Sequence, residues 1–237
     1  MKAIISDILS NLEALQAVLD DIAAQGVREI YCLGNLVGFG PNPCECIDLL
    51  MNCQVVLLGN NDLAATGGET PAIPTAIPRW HQSNLRMRRQ LAIPGPDHDH
   101  SRRRREFLAG LPQTHREGDY LFLHGSPRNP VNEFVFPEDV HNERKMQRVF
   151  STVERYCFMG KTHIPGIFTE DIQFIAPEMT GGVWRLDGRK TLCNVGSVGR
   201  PRNGEARACY VLLGDDTVRF RRVDYDIETT LGKLSHR

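Results

Sequence analysis

Short apolar runs alternate with helical stretches along this chain, and apolar runs follow one another closely toward its C-terminal end. Between the first two runs, apolar residues recur every three or four positions, which indicates one buried helix face, and Gly26 follows as a helix stop. The pattern predicts an α/β fold that becomes richer in strand near the end. The helical positions are Leu12, Leu15, Val18, Leu19 and Ile22, and the apolar runs span 3–6, 30–34, 55–59, 120–125, 156–160, 191–199, 209–214 and 218–223.

The segments between these runs complete the predicted order of elements. Cys46–Met51 is predicted as a short second helix. Residues 66–78 and 93–100 are rich in Gly and Pro and predict loops on either side of a helix over Arg79–Leu91. Because no internal repeat and no linker-like segment interrupts the pattern, we expect one domain over residues 1–237.

Composition narrows the class of protein. The 237 residues are 41% hydrophobic, which is enough to bury a substantial core. The seven cysteines are odd in number and lack C-x-x-C spacing, so we expect reduced thiols. No segment approaches the roughly 18 apolar residues of a membrane span, and the N-terminal MKAIISD does not begin a signal-like segment. We therefore expect a cytoplasmic protein with no membrane partner.

The charge distribution does not favour nucleic acid as a partner. Net charge is −1, so any attraction of the protein for phosphate must be local. The run Arg102–Arg105 is the one strongly basic stretch, but it precedes the apolar pair Phe107 and Leu108 and contains no interleaved aromatics. We interpret it as the solvated face of a helix.

Polar or glycine-rich residues follow five of the predicted strands directly. In open α/β sheets, ligands collect beyond the carboxyl ends of the strands, so these five segments are expected to meet at one site. They are S-D-I-L-S-N at 6–11, G-N-L-V-G at 34–38, G-N-N-D at 59–62, H-G-S-P at 124–127 and G-K-T-H at 160–163.

In this order and at roughly this spacing, the five segments resemble the signature of the calcineurin-like metallophosphoesterases, in particular their small bacterial phosphodiesterase-like branch. That signature reads D-x-H, G-D-x-x-G, G-N-H-D, H-G-S-P and G-H-x-H. The resemblance extends to LVGFGPNP at 36–43, FLAGLP at 107–112 and the tail at 194–213, so it covers nearly the whole chain. It implies a four-layer α-β-β-α sandwich of two mixed β-sheets.

The resemblance also implies a function and a set of metal ligands. In this family two divalent ions clamp a phosphate, activate a bridging water and neutralise the charge of the displacement. Asp7, Asn60, His124 and His163 stand at positions where the family has ligands. If this chain binds metal, the resemblance implies a divalent ion such as Mn, Fe, Zn or Mg.

Two of the remaining ligand positions carry side chains that cannot bind a metal ion. Leu9 stands at the histidine of D-x-H, and an isobutyl group has no lone pair. Lys161 stands at the first histidine of G-H-x-H, and an ammonium offers hydrogen-bond donors without any acceptor.

Two amides replace the other characteristic groups. Asn35 stands at the aspartate that bridges both ions, and its amide carries no negative charge to hold two dications together. Asn61 stands at the histidine that the resemblance implies is the proton donor, and an amide cannot act as a general acid near neutral pH. We expect no cofactor or a weakly bound divalent metal, and we expect the Lys161 ammonium to pair with Asp7 or to lie between Asp7 and Asn35.

Each surviving residue also has a purely structural interpretation. Asp7 could cap the helix that begins near Asn11, and the G-N-N-D segment could be a tight turn with positive φ. His124 and His163 could be hydrogen-bonded packing residues, and Asp62 is interpreted as structural.

Three functions remain open from the sequence. The first is a degenerate metallophosphoesterase whose hydrolase activity is lost or strongly reduced, with an anion pocket built from Asp7, Asn35, Asn60, His124, Lys161 and His163 for a phosphate-containing small molecule. The second is an active phosphatase or phosphodiesterase with a modified or single-metal site. The third is a partner-binding scaffold. The sequence leaves the oligomeric state and any contribution of carboxylates from loop 66–78 open.

Overall fold

A computed structural model of the protein describes residues 1–67, 98–202 and 204–235. The predicted helix Arg79–Leu91 and nearly all of the predicted loop 66–78 lie outside the described residues.

Two six-stranded mixed sheets form the centre of the described structure. The first sheet has the order β3-β2-β1-β11-β12-β9, in which β1 pairs in parallel with β2 and antiparallel with β11. Its strands are β1 (Lys2–Ile5), β2 (Glu29–Cys32), β3 (Val55–Val56), β9 (Val183–Arg185), β11 (Ala208–Leu213) and β12 (Thr217–Val223).

The second sheet has the order β4-β5-β6-β10-β7-β8, with the central strand β6 parallel to both of its neighbours. Four strands of the two sheets, β4 and β7 to β9, were not predicted because they do not lie in long apolar runs. The strands of the second sheet are β4 (Thr114–Glu117), β5 (Tyr120–Leu123), β6 (Tyr156–Met159), β7 (Gly166–Thr169), β8 (Phe174–Ile175) and β10 (Thr191–Asn194).

Helices cover the outer faces of both sheets. Apolar side chains of α1, α2 and α4 pack with β1, β2 and β11 on one side, and those of α5 pack with β5, β6 and β10 on the other. Between the sheets lies a third apolar cluster, which includes Ile4 and Val211 from the first sheet and Phe122 and Phe158 from the second. The expected four-layer α-β-β-α sandwich is confirmed. The described helices are α1 (Leu12–Ala24), α2 (Pro43–Leu50), α3 (Asn60–Ala65), α4 (His98–Ala109), α5 (Glu143–Phe150) and α6 (Ile227–Ser235), with short 3-10 helices at Pro137–His141 and Pro177–Thr180.

Helix α1 begins as the apolar period predicts, and its cap is Asn11. The Asn11 side chain accepts a hydrogen bond from the Ala14 amide at 3.1 Å, which satisfies one of the unpaired N–H groups of the first turn. The alternative in which Asp7 caps this helix is therefore wrong, and the Asp7 side chain is available for other contacts.

The basic run 102–105 lies on α4, as expected for a solvated helix face. Arg102, Arg103 and Arg105 are exposed, whereas Arg104 donates from Nε to Asp48 Oδ1 of α2 at 2.8 Å. Residues 98–100 belong to this helix and not to a loop, so the predicted loop 93–100 is wrong at its end. Among the helices that the structure describes, none is long and apolar enough to cross a membrane.

Candidate functional site

The six side chains expected at the site come together where strands of both sheets end, and all of them are buried. Asp7 and Asn35 follow the parallel strands β1 and β2, and Asn60 begins α3 just after β3. The second sheet contributes the other three residues from the loops after β5 and β6. The exposed fractions are 0% for Asp7, 3% for Asn35, 8% for Asn60, 0% for His124, 4% for Lys161 and 3% for His163.

Asn35 joins the Asp7 carboxylate to the start of α3. Its Nδ2 donates to Asp7 Oδ1 at 2.8 Å, and its Oδ1 accepts from the Asn61 amide at 2.9 Å. These two contacts fix which end of the amide faces Asp7, because only the nitrogen end can donate to a carboxylate. An aspartate in the same place would set two carboxylates against each other unless a proton or cation lay between them.

The ammonium of Lys161 lies on Asn60. Nζ donates to Asn60 Oδ1 at 2.7 Å and stands 4.3 Å from the centre of the Phe134 ring, a cation–π geometry. The expectation that this ammonium would pair with Asp7 is not met, since the contact to Asp7 comes from the main-chain N–H of Lys161, at 2.7 Å from Oδ2. Burial lowers the pKa of Lys161 to about 8, and the Asp7 charge opposes this shift.

Both histidines are held by main-chain carbonyl groups through Nδ1. His124 Nδ1 lies 3.1 Å from the Leu33 oxygen, and His163 Nδ1 lies 2.9 Å from the Arg200 oxygen. A carbonyl oxygen only accepts, so Nδ1 donates to it whenever that nitrogen carries the hydrogen. The Nε2 atoms point toward acceptors, with His124 Nε2 at 3.1 Å from Asn60 Oδ1 and His163 Nε2 at 3.2 Å from Asp7 Oδ1.

The charges in this cluster follow from its burial. Burial lowers the pKa of His124 to about 3, with smaller contributions from Lys161 and His163, so the His124 ring is neutral. Burial alone would raise the pKa of Asp7, but His163 and His124, together with hydrogen bonds from His163 and from the Lys161 amide, hold it well below its usual range. Asp7 is therefore the fixed negative charge of the site and Lys161 is its nearby cation.

The segment 59–62 is the first turn of a helix. Asn60 and Asn61 are buried residues of α3, and neither has a positive φ, so the alternative of a tight turn is wrong. Asp62 is structural as expected: Oδ2 accepts from the Asn35 and Gly59 amides at 2.7 and 3.0 Å. Burial raises the pKa of Asp62 to about 7 although main-chain N–H groups, first that of Val37, oppose the shift.

The backbone around the site is strained at several residues. Asp7, Leu9, Asn35, Lys161 and His163 all have φ between 55° and 69°, a region that side chains other than Gly, Asn and Asp rarely adopt. Each such residue costs on the order of 1–3 kcal/mol, and residues of this kind cluster at functional sites.

The donor set does not fit the two-metal arrangement that the resemblance implies. Leu9 is 2% exposed and contributes an alkyl group where a ligand is needed, and Lys161 brings a cation into the cluster. Within residues 1–67, 98–202 and 204–235, no group of three or more His, Cys, Asp or Glu side chains has a geometry that could hold a metal ion.

Four further residues interact with the site, and the sequence analysis assigned a role in it to none of them. Ser6 Oγ donates to Asp7 Oδ2 at 3.0 Å, and Phe134 contacts the Lys161 ammonium. A Cβ on Gly160 would lie 2.1 Å from Ser6 Oγ, so only glycine fits there. The fourth, Arg202, is exposed, and its guanidinium interacts electrostatically with Arg200 and Asp7. Ser6 and Gly160 begin two of the recognised segments but had no role assigned to them, whereas Phe134 has no sequence signal because its loop is brought in by tertiary packing.

Comparisons with known proteins agree with this fold. The sequence profile of the calcineurin-like phosphoesterase superfamily domain matches residues 1–217. An uncharacterized protein of Methanocaldococcus jannaschii is 34% identical over 243 residues, covering 99% of this chain and 91% of that protein. A metallophosphoesterase of Sphaerobacter thermophilus superimposes with a TM-score of 0.79 at 30% identity, covering 99% of this chain and 92% of that one. A hypothetical protein of Pyrococcus horikoshii OT3 has the same fold, with a TM-score of 0.72 at 21% identity over 100% of this chain and 93% of that one.

Proposed function

The chain belongs to the calcineurin-like phosphoesterase superfamily, and we propose that it is a degenerate metallophosphoesterase whose two-metal site has become a metal-free polar network. This network consists of the side chains of Asp7, Asn35, Asn60, His124, Lys161 and His163. Its phosphoester hydrolase activity is lost or strongly reduced in this proposal, and the network retains a pocket for a phosphate-containing small molecule or another anion. The observation that carries the proposal is the 2.7 Å hydrogen bond from the Lys161 ammonium to Asn60.

Two hydrogen-bond donors stand at positions where the resemblance implies metal ligands. The Asn35 Nδ2 group lies on Asp7 at 2.8 Å, and the Lys161 Nζ group lies on Asn60 at 2.7 Å. Each donor satisfies an oxygen atom that would otherwise face a metal ion or remain unpaired in a buried site, and an unpaired buried acceptor is costly. The network is therefore stable without any bound ion.

The residues at positions 9, 35, 61 and 161 lack the groups that hydrolysis requires. Uncatalysed phosphoester hydrolysis is extremely slow, and the metal ions of this family supply most of the rate enhancement. Asn61 offers an amide at the position of the proton donor, and its Oδ1 is already occupied by a hydrogen bond from Asn60 at 3.1 Å. No side chain of the network replaces both a Lewis acid and a general acid.

An anion pocket is supported by the balance of charge. Compared with the family's arrangement, Asn35 removes one negative charge and Lys161 adds one positive charge. Arg202 adds a second cation close enough to interact with Asp7. Ammonium and guanidinium groups bind phosphate through charge-assisted hydrogen bonds, so the pocket favours a phosphate group over a neutral ligand.

Metal content tests this proposal directly. The purified protein is incubated with excess Mn²⁺, desalted and analysed by plasma mass spectrometry, with hydrolysis of bis(p-nitrophenyl) phosphate measured on the same sample. We expect near-zero manganese per chain and no hydrolysis above background. Two ions per chain would overturn the proposal, since other residues would then have rebuilt the site.

A matched variant makes a negative result informative. The quadruple substitution Leu9→His, Asn35→Asp, Asn61→His and Lys161→His restores the family's groups on the same scaffold. We expect this variant to take up manganese and to gain hydrolase activity. If neither protein binds manganese or phosphate, the third function, a partner-binding scaffold, replaces the proposal.

One observation favours a second candidate, a weak phosphoesterase with a single metal ion. Nε2 of His163 and Nε2 of His124 lie 3.2 and 4.0 Å from the same oxygen, Asp7 Oδ1. Two imidazole nitrogens and a carboxylate oxygen are ligand types that a divalent cation can bind when both rings are neutral. One manganese per chain that is retained through desalting would support this candidate, and Lys161→Met would then increase the affinity for metal.

A further inference from the structure

A cavity lies beside the network and is lined mainly by apolar side chains. Its volume is about 370 Å³, within the range typical of small-molecule sites. Helix α6 closes one side and the segment around Phe39 and Gly40 closes the other. The lining residues that matter for a ligand are Leu9, Asn11, Phe39, Arg200, Leu231 and Leu234.

This cavity shares a wall with the network but is separate from it. The main-chain amide of Leu9 donates to the main-chain oxygen of Asn35 at 2.9 Å, and the main-chain amide of Gly199 donates to the main-chain oxygen of Asp7 at 2.9 Å. Leu9, which is 2% exposed, lines the cavity and stands at the position where the resemblance implies a metal-binding imidazole. The leucine makes that wall apolar.

Arg200 is the one charged residue among the described residues that line the cavity. Asn11 already donates to the Gly199 oxygen and accepts from the Ala14 amide, and the Thr230 hydroxyl lies within hydrogen-bond distance of both Asn11 Oδ1 and Glu13 Oε2. Arg200 is exposed, and in the described part of the chain its guanidinium contacts the Phe39 ring at 5.5 Å without an ion pair or side-chain hydrogen bond. A cation at the edge of an apolar cavity is complementary to an anionic ligand with an apolar body.

We propose that the cavity between Leu9, Phe39 and α6 binds a small organic anion, with the apolar body inside and the anionic group on Arg200. This inference goes beyond the proposed function and does not require an anion at Lys161. The two sites are distinguishable, because Lys161 is not part of the cavity lining and Arg200 contributes only its main chain to the network.

Isothermal titration with 1-naphthalenesulfonate tests the proposal, since this anion has a flat apolar body and no hydrolysable bond. We expect binding that weakens about fivefold in Arg200→Gln, the value of one exposed charge pair. Arg219→Gln is the matched control, because Arg219 is an exposed arginine of β12 outside the cavity. Binding of the uncharged 1-naphthol should be insensitive to both substitutions.

Substitutions in α6 test the location. Leu234→Trp fills the cavity and should weaken binding at least about tenfold, as expected when a ligand's apolar contacts are lost. Leu231→Asp serves as a second variant, because Leu231 is 59% exposed and a charge there does not disturb the core. It should repel the sulfonate while leaving the melting temperature unchanged.

Several outcomes would overturn the proposal. They are an absence of binding at millimolar probe, unchanged affinity in both α6 variants, and loss of binding in Lys161→Met to the same degree as in Arg200→Gln. The last result would place the probe in the network instead of the cavity.

Discussion

The ammonium of Lys161 lies 2.7 Å from Oδ1 of Asn60. A positively charged side chain therefore binds the amide oxygen of a residue that stands where the resemblance implies a metal ligand. The side chain of Lys161 thus brings a positive charge into this part of the site. Asp7 has its own donors in the Asn35 amide and the Lys161 N–H group. Four predictions follow from this network and from the packing around it.

Removing the ammonium should remove phosphate binding. In Lys161→Met, we expect the affinity for inorganic phosphate, measured by isothermal titration without metal, to fall at least about tenfold, since charge-assisted hydrogen bonds contribute roughly 1.5–3 kcal/mol. Lys190→Met is the control, because Lys190 also donates through Nζ to a protein oxygen, that of Phe150, but lies away from the site. Equal phosphate affinity in Lys161→Met and the wild type would contradict the anion pocket.

Adding one methyl group at Gly160 should destabilise the protein. A Cβ there would lie 2.1 Å from Ser6 Oγ and 2.7 Å from Asp7 Oδ2, so Gly160→Ala forces a shift of the site and costs about 1–3 kcal/mol of unfolding free energy. Gly232→Ala is the contrasting variant, because no atom lies within 4 Å of a Cβ at this helical position. It should stabilise by about 0.5–1 kcal/mol. Urea unfolding of both variants checks this, and equal stabilities would refute the close approach at Gly160.

The contact of α1 with the first sheet should make stability depend on acid. Arg221 donates to Asp21 Oδ1 at 2.7 Å and Tyr210 donates to Oδ2 at 2.7 Å. Burial alone would raise the pKa of Asp21, but these hydrogen bonds outweigh it and lower the pKa. The stabilisation is therefore complete above the unfolded pKa of about 3.9 and is lost as pH falls through the lower folded value.

Asp21→Asn should reduce the free energy of unfolding at pH 7 by about 1–2 kcal/mol, and the difference from wild type should shrink below pH 4. The neighbouring exposed residue gives the control Asp20→Asn, which should change neither quantity. Urea unfolding at pH 7 and at pH 3 measures both effects. A pH-independent difference would mean that packing, and not the charge, is lost.

As pH falls, protonation of His124 should begin to reduce stability at a higher pH than protonation of Asp21 does. Burial lowers the pKa of His124 to about 3, from 6.5 for an exposed histidine. Between these values the unfolded chain binds a proton that the folded chain does not, so this contribution is complete above pH 6.5 and declines as pH falls toward 3. In His124→Asn, the slope of unfolding free energy against pH should be smaller between pH 6.5 and 4. His141→Asn, at an exposed position, should leave the slope unchanged.

Much of the fold could be predicted because its pattern is local. The period of apolar residues predicted α1, and the structure places it at Leu12–Ala24 with Gly26 in a left-handed conformation just beyond its end. The strands β1, β2, β5, β6, β10, β11 and β12 lie within or next to predicted runs. Short exposed strands such as β4 were missed, because they form by pairing with a neighbouring strand and have no continuous apolar run that would reveal them in the sequence.

The site could be predicted in its members but not in its contacts. The ordered segments gave Asp7, Asn35, Asn60, His124 and the pair in G-K-T-H, and the parallel strands brought them together. The order along the chain cannot show which oxygen an ammonium reaches, because that depends on side-chain direction in three dimensions.

Sequence alone determined the family resemblance, the layered fold and the identity of the groups that replace metal ligands, since these depend on residue type and spacing. Only the tertiary structure decided that Lys161 lies on Asn60 against Phe134 and that Asn35 donates to Asp7. It also decided that an apolar cavity opens behind Leu9. Those features depend on distances between residues far apart in the chain, and such distances exist only after the two sheets have packed.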